Sequence, residues 1–499
     1  MATDDKISYL SVTDNTSVPD FSKAQTLASR IVGKSLDRLA NEENVFVFPP
    51  AFKEKDSDDG LEESQVILYK EDKGYRTSNV MGYLGYDGPD KTDDPNAPDD
   101  QKQIVHERLV IRSRFSSTNT DDENGVENDY FLQYLLEQVL ELPSIIDFKT
   151  DSNRDNRLFN WLLFLFPYYL KTAMRKGVFK TYIRRQYNDA NVKGTIDVAR
   201  HIKMNTPFVG KIAYNQREHS SDNYLLRLIR LTIDYIKSKG YGNILSNVKD
   251  EIQLVIGATP GYAIKDRNKI IEENKKRPIR HAYYHEYRTL QQLCLWILLN
   301  EKHQLGQGKQ KIYGILFDGA WLWEEYVNKL IGDLFHHPRN KARKGDSGAQ
   351  QLFSKEIIDK NNRQQGRIYP DFIGKPKCAV PVIADAKYKP EYNIHSGDYL
   401  QILAYMFRFS AKLGLFLYPK SSDDIEETTL RMNKGNTFDG NVTEGNDILV
   451  IKRGLVIPSI TGERDYNSFR DSLDKAEKEF IDRIRKLIEG QPKIQPSAN

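Results

Sequence analysis

Cysteine is nearly absent from this sequence, since its 499 residues include only Cys294 and Cys378. Two cysteines cannot build a disulfide framework or a cysteine-rich zinc site. Long apolar segments are also missing. The longest one, residues 158–170 ("LFNWLLFLFPYYL"), is shorter than a membrane span and contains Asn160 and Pro167. We therefore expect no membrane segment and interpret residues 158–170 as a buried helix.

The first ten residues, "MATDDKISYL", contain neither the basic nor the apolar region of a secretory leader. With so few cysteines, this predicts a protein of the reducing cytoplasm. A phosphate-binding loop is missing as well. The "GKS" at residues 33–35 would need a glycine at position 28, where Ala28 stands, and no apolar strand precedes it. We expect that the chain does not bind or hydrolyse NTP by itself.

The overall charge is small, but it is distributed unevenly. A net charge of +3 does not by itself indicate a nucleic-acid partner. Residues 51–130 hold 10 Lys and Arg against 20 Asp and Glu, whereas residues 171–220 hold 11 against 3. Residues 175–205 also carry interleaved aromatic residues and a Lys193-Gly194 turn. This pattern is typical of a DNA-contacting element, although a basic, solvent-facing hairpin would share it.

Hydrophobic periodicity divides the chain into three regions. Together they predict a fold of the α/β class, in which several domains combine helices and strands (multidomain α+β). Residues 1–150 combine strands, a helix at 130–143 and an acidic, Gly- and Pro-rich stretch at 85–100 that predicts a surface loop or a disordered insert. Residues 151–305 are predicted to be mainly helical. Residues 306–499 show the order α-β-β-β-α-β, followed by one more strand and an amphipathic C-terminal helix.

Two acidic residues and a lysine interrupt the apolar strands of the third region. Asp371 follows Pro370 at the end of one predicted strand ("RIYPDFIG"), and Asp385 and Lys387 lie on the next ("VPVIADAKYK"). Residues two apart share a strand face, so Asp385 and Lys387 would stand side by side. A tight turn through "GKPK" would pair the two strands and bring Asp371 close to Asp385.

Two neighbouring carboxylates repel each other unless a positive charge lies between them. Mg²⁺ fits this position, because it takes one or two protein carboxylates together with water and substrate phosphate. Lys387 could then orient a water or stabilise charge on phosphorus. The arrangement predicts metal-assisted phosphodiester hydrolysis. The alternative is a structural Asp–Lys ion pair in an ordinary buried sheet.

The motifs "YPDF" and "IADAKYK" together resemble the core of the PD-(D/E)xK nucleases. The resemblance implies a restriction-endonuclease-like fold for the third region. It also implies a further acid on the preceding helix, matched in "LWEEYV", and a Gln and a Tyr on the following helix, matched in "YLQILAYM". The predicted site residues are therefore Asp371, Asp385, Lys387, Glu324, Gln401 and Tyr405, with Asp371, Asp385 and Glu324 as Mg²⁺ ligands.

More narrowly, "FDGAWLWEEYV", "YPDF", "DAKYK" and "GDYLQILAYM" resemble the McrC family, the nuclease subunits of McrBC-type modification-dependent restriction systems. Upstream, "VKGTIDVARHI" and "SDNYLLRLIRL" extend the resemblance over about residues 155–420, with Trp323 standing where Phe is expected. The resemblance implies a Mg²⁺-dependent DNA endonuclease subunit that cuts modified double-stranded DNA in phage defence. It also implies a partner, a McrB-like AAA+ GTPase hexamer, which the N-terminal region stimulates.

Two alternative functions stay open, of which only the first would use the same site residues. The chain could be a RecB-like nuclease with a different motor partner, or a non-catalytic adaptor that activates an AAA+ motor. Histidines give no competing site: His281 and His285 have metal-like spacing but no third ligand, and we expect a surface position for His336 and His337.

Overall fold

The computed structural model describes most of the chain. The described residues are 7–49, 66–90, 104–116, 129–141, 154–300, 312–338, 348–354, 364–376, 378, 380–421, 428–438, 440–459 and 466–490. The chain divides into two compact units, of which the first comprises Met1–Val139 with Gly308–Asn499 and the second Leu140–Gln307. Among the described helices, none is both long and apolar enough to cross a membrane.

Helices and strands both contribute extensively, which confirms the predicted mixed α+β class at this level. The strands are β1 Ser8–Thr13, β2 Ser17–Val18, β3 Asn44–Phe48, β4 Leu68–Lys70, β5 Tyr75–Thr77, β6 Val80–Pro89, β7 Ile104–Arg112, β8 Thr181–Asp189, β9 Thr195–Ile196, β10 Ile212–Ser220, β11 Ile312–Asp318, β12 Phe335–His336, β13 Gln350–Ser354, β14 Gln364–Ile368, β15 Phe372–Gly374, β16 Val382–Ala386, β17 Leu413–Ser421, β18 Thr429–Asn436 and β19 Asn441–Ile457. The helices are α1 Gln25–Ile31, α2 Leu36–Glu42, α3 Tyr130–Val139, α4 Arg154–Met174, α5 Val198–Met204, α6 Tyr224–Ser238, α7 Lys249–Ala258, α8 Arg267–Lys276, α9 His285–Asn300, α10 Gly319–Ile331, α11 Ser396–Arg408 and α12 Tyr466–Glu489.

The first unit contains a five-stranded sheet in the order β1-β7-β6-β11-β3. Two glycines permit the close pairing of β6 with β11. A Cβ atom on Gly82 would lie 2.2 Å from the carbonyl oxygen of Ile315, and one on Gly314 would lie 2.1 Å from that of Tyr83. Both glycines also have positive φ values, which side chains disfavour. The segment after the second unit therefore enters a sheet that the N-terminal residues build.

The first unit also contains a six-stranded sheet in the order β12-β15-β16-β17-β19-β18. Its neighbouring strands β16, β17 and β19 are parallel, and parallel strands covered on both faces are typically apolar. α11 covers one face of this sheet, where Ile402 and Met406 pack with Ile383 and Phe416. Asp385 is thus a charged residue near the end of an otherwise apolar, buried strand.

The second unit combines helices α4 and α6–α9 with a three-stranded sheet in the order β8-β10-β9. The predicted buried helix at residues 158–170 lies within α4. α6 begins where the side chain of Asn223 accepts a hydrogen bond from the Leu226 N–H at 3.1 Å, which caps the helix. The basic stretch 175–205 contains β8, β9 and α5, so only part of it belongs to the small sheet.

Several local predictions were wrong. The stretch "RIYPDFIG" is not one strand: β14 pairs with β13 in a separate hairpin, whereas β15 belongs to the six-stranded sheet. Pro370 lies between these two strands, at a position where a residue without an N–H cannot donate to either ladder. The connection from β15 to β16 covers residues 375–381 and is longer than the predicted tight turn. Residues 85–89 of the predicted loop belong to β6, while residues 91–100 lie outside the described residues.

The grouping of the chain differs from the three regions predicted from sequence. Predicted regions 1–150 and 306–499 fall largely into the first unit, because β11 joins the N-terminal sheet. The predicted middle region, 151–305, falls within the second unit, which spans Leu140–Gln307.

Candidate active site

The pairing of β15 with β16 brings the two predicted acids together. Phe372 pairs with Ala384 and Ile373 with Ile383 in an antiparallel register. Continuing this register by one residue places Asp371 opposite Asp385. The N–H of Ala386 donates a hydrogen bond to Asp371 Oδ2 at 2.8 Å. Asp371 thus lies immediately before β15 rather than closing a strand, but it still faces the end of β16.

Lys387 lies one residue beyond β16 and stays on the face of Asp385. Its Nζ atom is 2.6 Å from Asp385 Oδ2, as the spacing of two residues predicts. The Lys387 N–H donates to the carbonyl oxygen of Leu417 at 2.8 Å, which continues the pairing with β17 by one step. The backbone of Lys387 is therefore held by the sheet, and its ammonium stands beside the buried carboxylate.

Gln401 and Tyr405 lie on the face of α11 that points toward this ammonium. Lys387 Nζ donates to Gln401 Oε1 at 2.9 Å, and Gln401 Nε2 donates to the Tyr405 hydroxyl at 2.9 Å. The Tyr405 hydroxyl in turn donates to the carbonyl oxygen of Tyr369 at 3.2 Å. This chain of hydrogen bonds connects Lys387 to the backbone just before Asp371.

Asp398 is a further acid that the sequence analysis did not select. Its Oδ1 atom is 3.7 Å from Lys387 Nζ, and its Oδ2 atom is 2.6 Å from Lys389 Nζ. Oδ2 also accepts from the His395 N–H at 3.1 Å, which caps α11. Burial favours the neutral acid, but these donors outweigh it and lower the pKa of Asp398. The sequence signal was an acid at the third position of a helix, where capping acids are common.

His337 lies between Asp371 and Glu324 and is buried, so the prediction of a surface position for His337 was wrong. It is only 3% exposed. Its Nδ1–H donates to the carbonyl oxygen of Asp371 at 2.7 Å, and its Nε2 lies 3.6 Å from Glu324 Oε1 and 3.5 Å from Glu325 Oε1. The prediction failed because β12 pairs with β15, a contact that local sequence does not reveal.

Negative charge accumulates where these side chains meet. Burial, together with the charges of Asp385 and Glu324, raises the pKa of Asp371 well above its usual range. Burial alone would lower the pKa of Lys387, but Asp385, Asp371 and Asp398 raise it overall. The Lys387 ammonium therefore stands among several acids, and added positive charge would favour their ionised forms.

A comparison with protein families identifies the chain. Residues 94–419 match the family model described as McrBC 5-methylcytosine restriction system component, which is more than half of the sequence. The chain belongs to the McrBC family. This confirms the family resemblance predicted from the sequence. A comparison with curated proteins found no match.

Two solved structures are similar to this McrBC-family chain. One is a refined half-complex from a tetradecameric assembly of Thermococcus gammatolerans McrB AAA+ hexamers with bound McrC. It shares 13% identity and a TM-score of 0.43, over 96% of this chain and 100% of that one. The other is the cryo-EM structure of the Thermococcus gammatolerans McrBC complex, with 14% identity and a TM-score of 0.27, over 68% and 89% of the respective chains.

The carboxylates of the candidate active site are suitable ligands for a hard divalent cation. Within the described ranges, no three or more His, Cys, Asp or Glu side chains are grouped as a complete metal cage. Mg²⁺ does not need one, because it commonly binds one or two carboxylates and completes its shell with water and phosphate oxygens. Asp371 and Asp385 could serve as such a pair, because burial and neighbouring acids raise the pKa of Asp371 and a cation would offset that negative charge.

The N-terminal sheet of this McrBC-family chain holds the residue next to Lys387. The Tyr388 hydroxyl lies 2.8 Å from Ser113 Oγ, and the Arg114 guanidinium donates to the Tyr388 carbonyl oxygen. The same guanidinium lies over the Tyr388 ring, 4.9 Å from its centroid. The end of β7 therefore fixes the segment that follows Lys387. Sequence analysis missed this contact, which joins residues far apart in the chain.

Proposed function

We propose that this chain is the DNA-cutting subunit of a McrBC-type restriction and phage-defence system, built on a PD-(D/E)xK core and dependent on Mg²⁺. The observation that carries the proposal is the meeting of Asp371, Asp385 and Lys387 at the end of β16 in a chain of the McrBC family. Two carboxylates beside one ammonium are suited to metal-assisted phosphodiester hydrolysis. The structural ion-pair alternative does not account for the additional acids around Lys387.

Asp371 and Asp385, with Glu324 as a third acid, would hold Mg²⁺, which supplies positive charge at the scissile phosphate and makes water more acidic. Lys387 is placed to orient the attacking water and to stabilise negative charge on the phosphoryl oxygens. Gln401 accepts a hydrogen bond from Lys387 Nζ and so fixes the direction of the ammonium. Tyr405 holds Gln401 in turn.

The partner in this proposal is a McrB-like AAA+ GTPase hexamer, and the substrate is modified double-stranded DNA. Family membership supports both, because the family model describes a component of a 5-methylcytosine restriction system, and it favours this partner over a RecB-like motor. The "GKS" of this chain has structural contacts: Lys34 pairs with Glu43 at 3.1 Å, and Ser35 caps α2. GTP hydrolysis is therefore assigned to the partner. In the same proposal, the first 150 residues of this chain dock on that partner.

The test compares Asp385→Asn and Lys387→Met in the full-length chain, purified with its GTPase partner. Each variant should lower Mg²⁺-dependent cleavage of methylated DNA at least about 100-fold, because each removes charge stabilisation at the reacting phosphate. GTP turnover by the partner should remain at the wild-type level. Cleavage at the wild-type rate by either variant would refute the site, and GTP hydrolysis by the isolated chain would refute its role as the nuclease subunit.

Lys478→Met is a matched control, because Lys478 is exposed on α12 and its loss removes the same charge. It should cut at the wild-type rate. Point variants are preferable to truncation here. A fragment that begins near residue 155 would lack β3 and β6, between which β11 lies, and would leave both edges of β11 without their partners.

A further inference from the structure

The second unit contains an open cleft of about 1530 Å³, lined by β8 and β10 and by residues of α6, α8 and α9. We name it the basic cleft because of the side chains that line it. The basic ones are Arg184, Arg185, Lys193, Arg217, Arg227 and Arg277. Only two acidic residues, Asp222 and Glu273, line the cleft among the described residues. The cleft therefore carries an excess of positive charge.

Half of these cations have a carboxylate partner and half do not. The pairs are Arg227 with Asp222 at 2.7 Å, Arg277 with Glu273 at 3.2 Å and Arg185 with Glu218 at 3.6 Å. For Arg184, Lys193 and Arg217, no carboxylate in the described part of the chain lies within ion-pair distance. All three side chains are exposed. They are available to an anion that arrives from outside.

The strand register places two of these cations directly against each other. Arg184 on β8 is the cross-strand partner of Arg217 on β10. Like charges in directly opposed positions destabilise a sheet by a few tenths to about 1 kcal/mol. The next opposed pair on the same face consists of the uncharged residues Gln186 and Asn215. A bound anion would convert this repulsion into two favourable contacts.

An aromatic pair continues the same face. Tyr182 is the cross-strand partner of His219, and their ring centroids are 5.0 Å apart. The guanidinium of Arg217 lies 4.9 Å from the centroid of the Tyr182 ring, although Tyr182 is 61% exposed. This contact with the Tyr182 ring restrains the Arg217 side chain, which reduces the entropy lost when the guanidinium binds a ligand. The sheet therefore presents a preorganised cation beside an exposed ring.

We propose that the basic cleft binds the sugar–phosphate backbone of the DNA that this chain cuts. The inference rests on the proposed function, which makes DNA the substrate. Guanidinium groups match phosphate oxygens in geometry as well as charge. The cleft is open and far larger than a single anion, which suits a polymer with regularly spaced phosphates. Contacts of this kind position DNA without reading its sequence, so unmodified and methylated DNA bind equally well here.

The test measures DNA binding to the full-length chain as a function of salt. The parent protein carries Asp385→Asn and is kept in EDTA, so that no cutting occurs. Arg184→Gln together with Arg217→Gln is compared with this parent on a short duplex by fluorescence anisotropy. Loss of two phosphate contacts should make the slope of log K against log salt shallower by about 1.8. The affinity deficit of the variant should therefore grow about tenfold from 200 mM down to 50 mM salt.

Lys249→Gln together with Lys269→Gln is the charge-matched control, because both lysines are exposed in the second unit and do not line the cleft. It should keep the parent slope. Equal slopes for the cleft variant and the control would overturn the inference. So would unchanged DNA binding with altered GTPase stimulation, which would make the cleft a surface for the partner protein. The substitutions remove a repulsion, so circular dichroism should show a folded variant.

The two proposals fail in different ways. If the cleft variant loses salt-dependent binding but wild-type chain never cuts DNA with its partner, the nuclease proposal fails and the cleft inference stands. If wild-type chain cuts DNA and the cleft variant binds like its control, the cleft inference fails alone.

Discussion

The positively charged side chains of the candidate active site and of the basic cleft differ in their burial and in the charges beside them. In the active site, the Lys387 side chain is 16% exposed and its partner Asp385 only 2%, with their charged atoms 2.6 Å apart. In the cleft, Arg184 and Arg217 are exposed and face each other across two strands. In the active site the ammonium has carboxylate partners inside the protein, whereas the cleft leaves these two guanidinium groups to a ligand from outside.

Desolvation explains the difference. A buried charge loses its hydration, and only a close counter-charge with good hydrogen bonds offsets that loss. An exposed charge keeps its water, so a like-charged neighbour costs little and an opposite one contributes little. The arrangement of buried charges therefore indicates what chemistry a site can carry out. Exposed charges of one sign without close counter-charges indicate the charge of the ligand or partner that binds to that surface.

The largest expected effect tests the cost of burial at Asp14 in the N-terminal sheet. Its side chain is fully buried and accepts a hydrogen bond from the Arg114 N–H at 2.6 Å. Burial raises the pKa of Asp14 from 3.8 to about 7, although Arg114 acts in the opposite direction. The folded state therefore keeps a proton that the unfolded state releases between about pH 4 and pH 7.

The stability that Asp14 contributes is consequently present below about pH 4 and is lost as the pH rises to about 7. Asp14→Asn cannot titrate and should remove this dependence. Relative to the variant, the wild type should lose about 4 kcal/mol in free energy of unfolding between about pH 4 and pH 8. Urea unfolding at a series of pH values measures this difference. Asp471→Asn, an exposed control on α12, should follow the wild type. Parallel profiles for wild type and Asp14→Asn would contradict the argument.

A smaller effect is expected at His337, which links two parts of the buried site. His337→Ala removes the donor to the Asp371 carbonyl oxygen and the imidazole beside Glu324. Loss of such a supporting side chain should lower cleavage about 10- to 100-fold. His337→Asn can still donate near the position of Nδ1 and should recover part of the rate.

The readout that separates positioning from folding is Mg²⁺ binding by titration calorimetry, together with GTP turnover by the partner. His337→Ala should weaken Mg²⁺ binding, and His337→Asn should restore it in part, with GTP turnover unchanged throughout. His285→Ala, which removes a 45% exposed histidine in the second unit, is the matched control. Equal Mg²⁺ affinity for His337→Ala and wild type would show that His337 does not position the site.

The smallest effect is expected for an exposed pair in the first unit. Arg38 and Glu42 lie four apart on α2 with charged atoms 2.9 Å apart, and their side chains are 59% and 51% exposed. Glu42→Gln should change the free energy of unfolding by less than about 0.5 kcal/mol. The measurement is urea unfolding at low and high salt. A loss comparable with that at Asp14 would mean that burial is not what separates the two kinds of charge.

Local spacing was sufficient for part of the candidate site. Asp385 and Lys387 are two apart on a strand, and Gln401 and Tyr405 are four apart on a helix, so each pair shares a face wherever its element packs. The caps of α6 and α10 follow in the same way from Asn223 and Asp318, whose side chains accept hydrogen bonds from the first turn. Such relations depend only on neighbours in the chain.

The remaining parts of the site depend on contacts between distant segments. His337 meets Asp371 because β12 pairs with β15, and Tyr388 meets Ser113 and Arg114 because two sheets pack in one unit. These contacts leave no periodic signal, and a single histidine or tyrosine looks the same whether it is buried or exposed.

By itself, the sequence determined the mixed α+β class and the spacing of the candidate catalytic residues, since these follow from side-chain type and chain distance, and its motifs carried the resemblance to the McrBC family. Only the tertiary structure decided that β11 completes the N-terminal sheet, that His337 supports Asp371, and that Arg184 opposes Arg217 in an open cleft. The physical reason is that burial and strand register arise from the packing of whole elements. The same charged residue is compensated in one environment and available to a ligand in another.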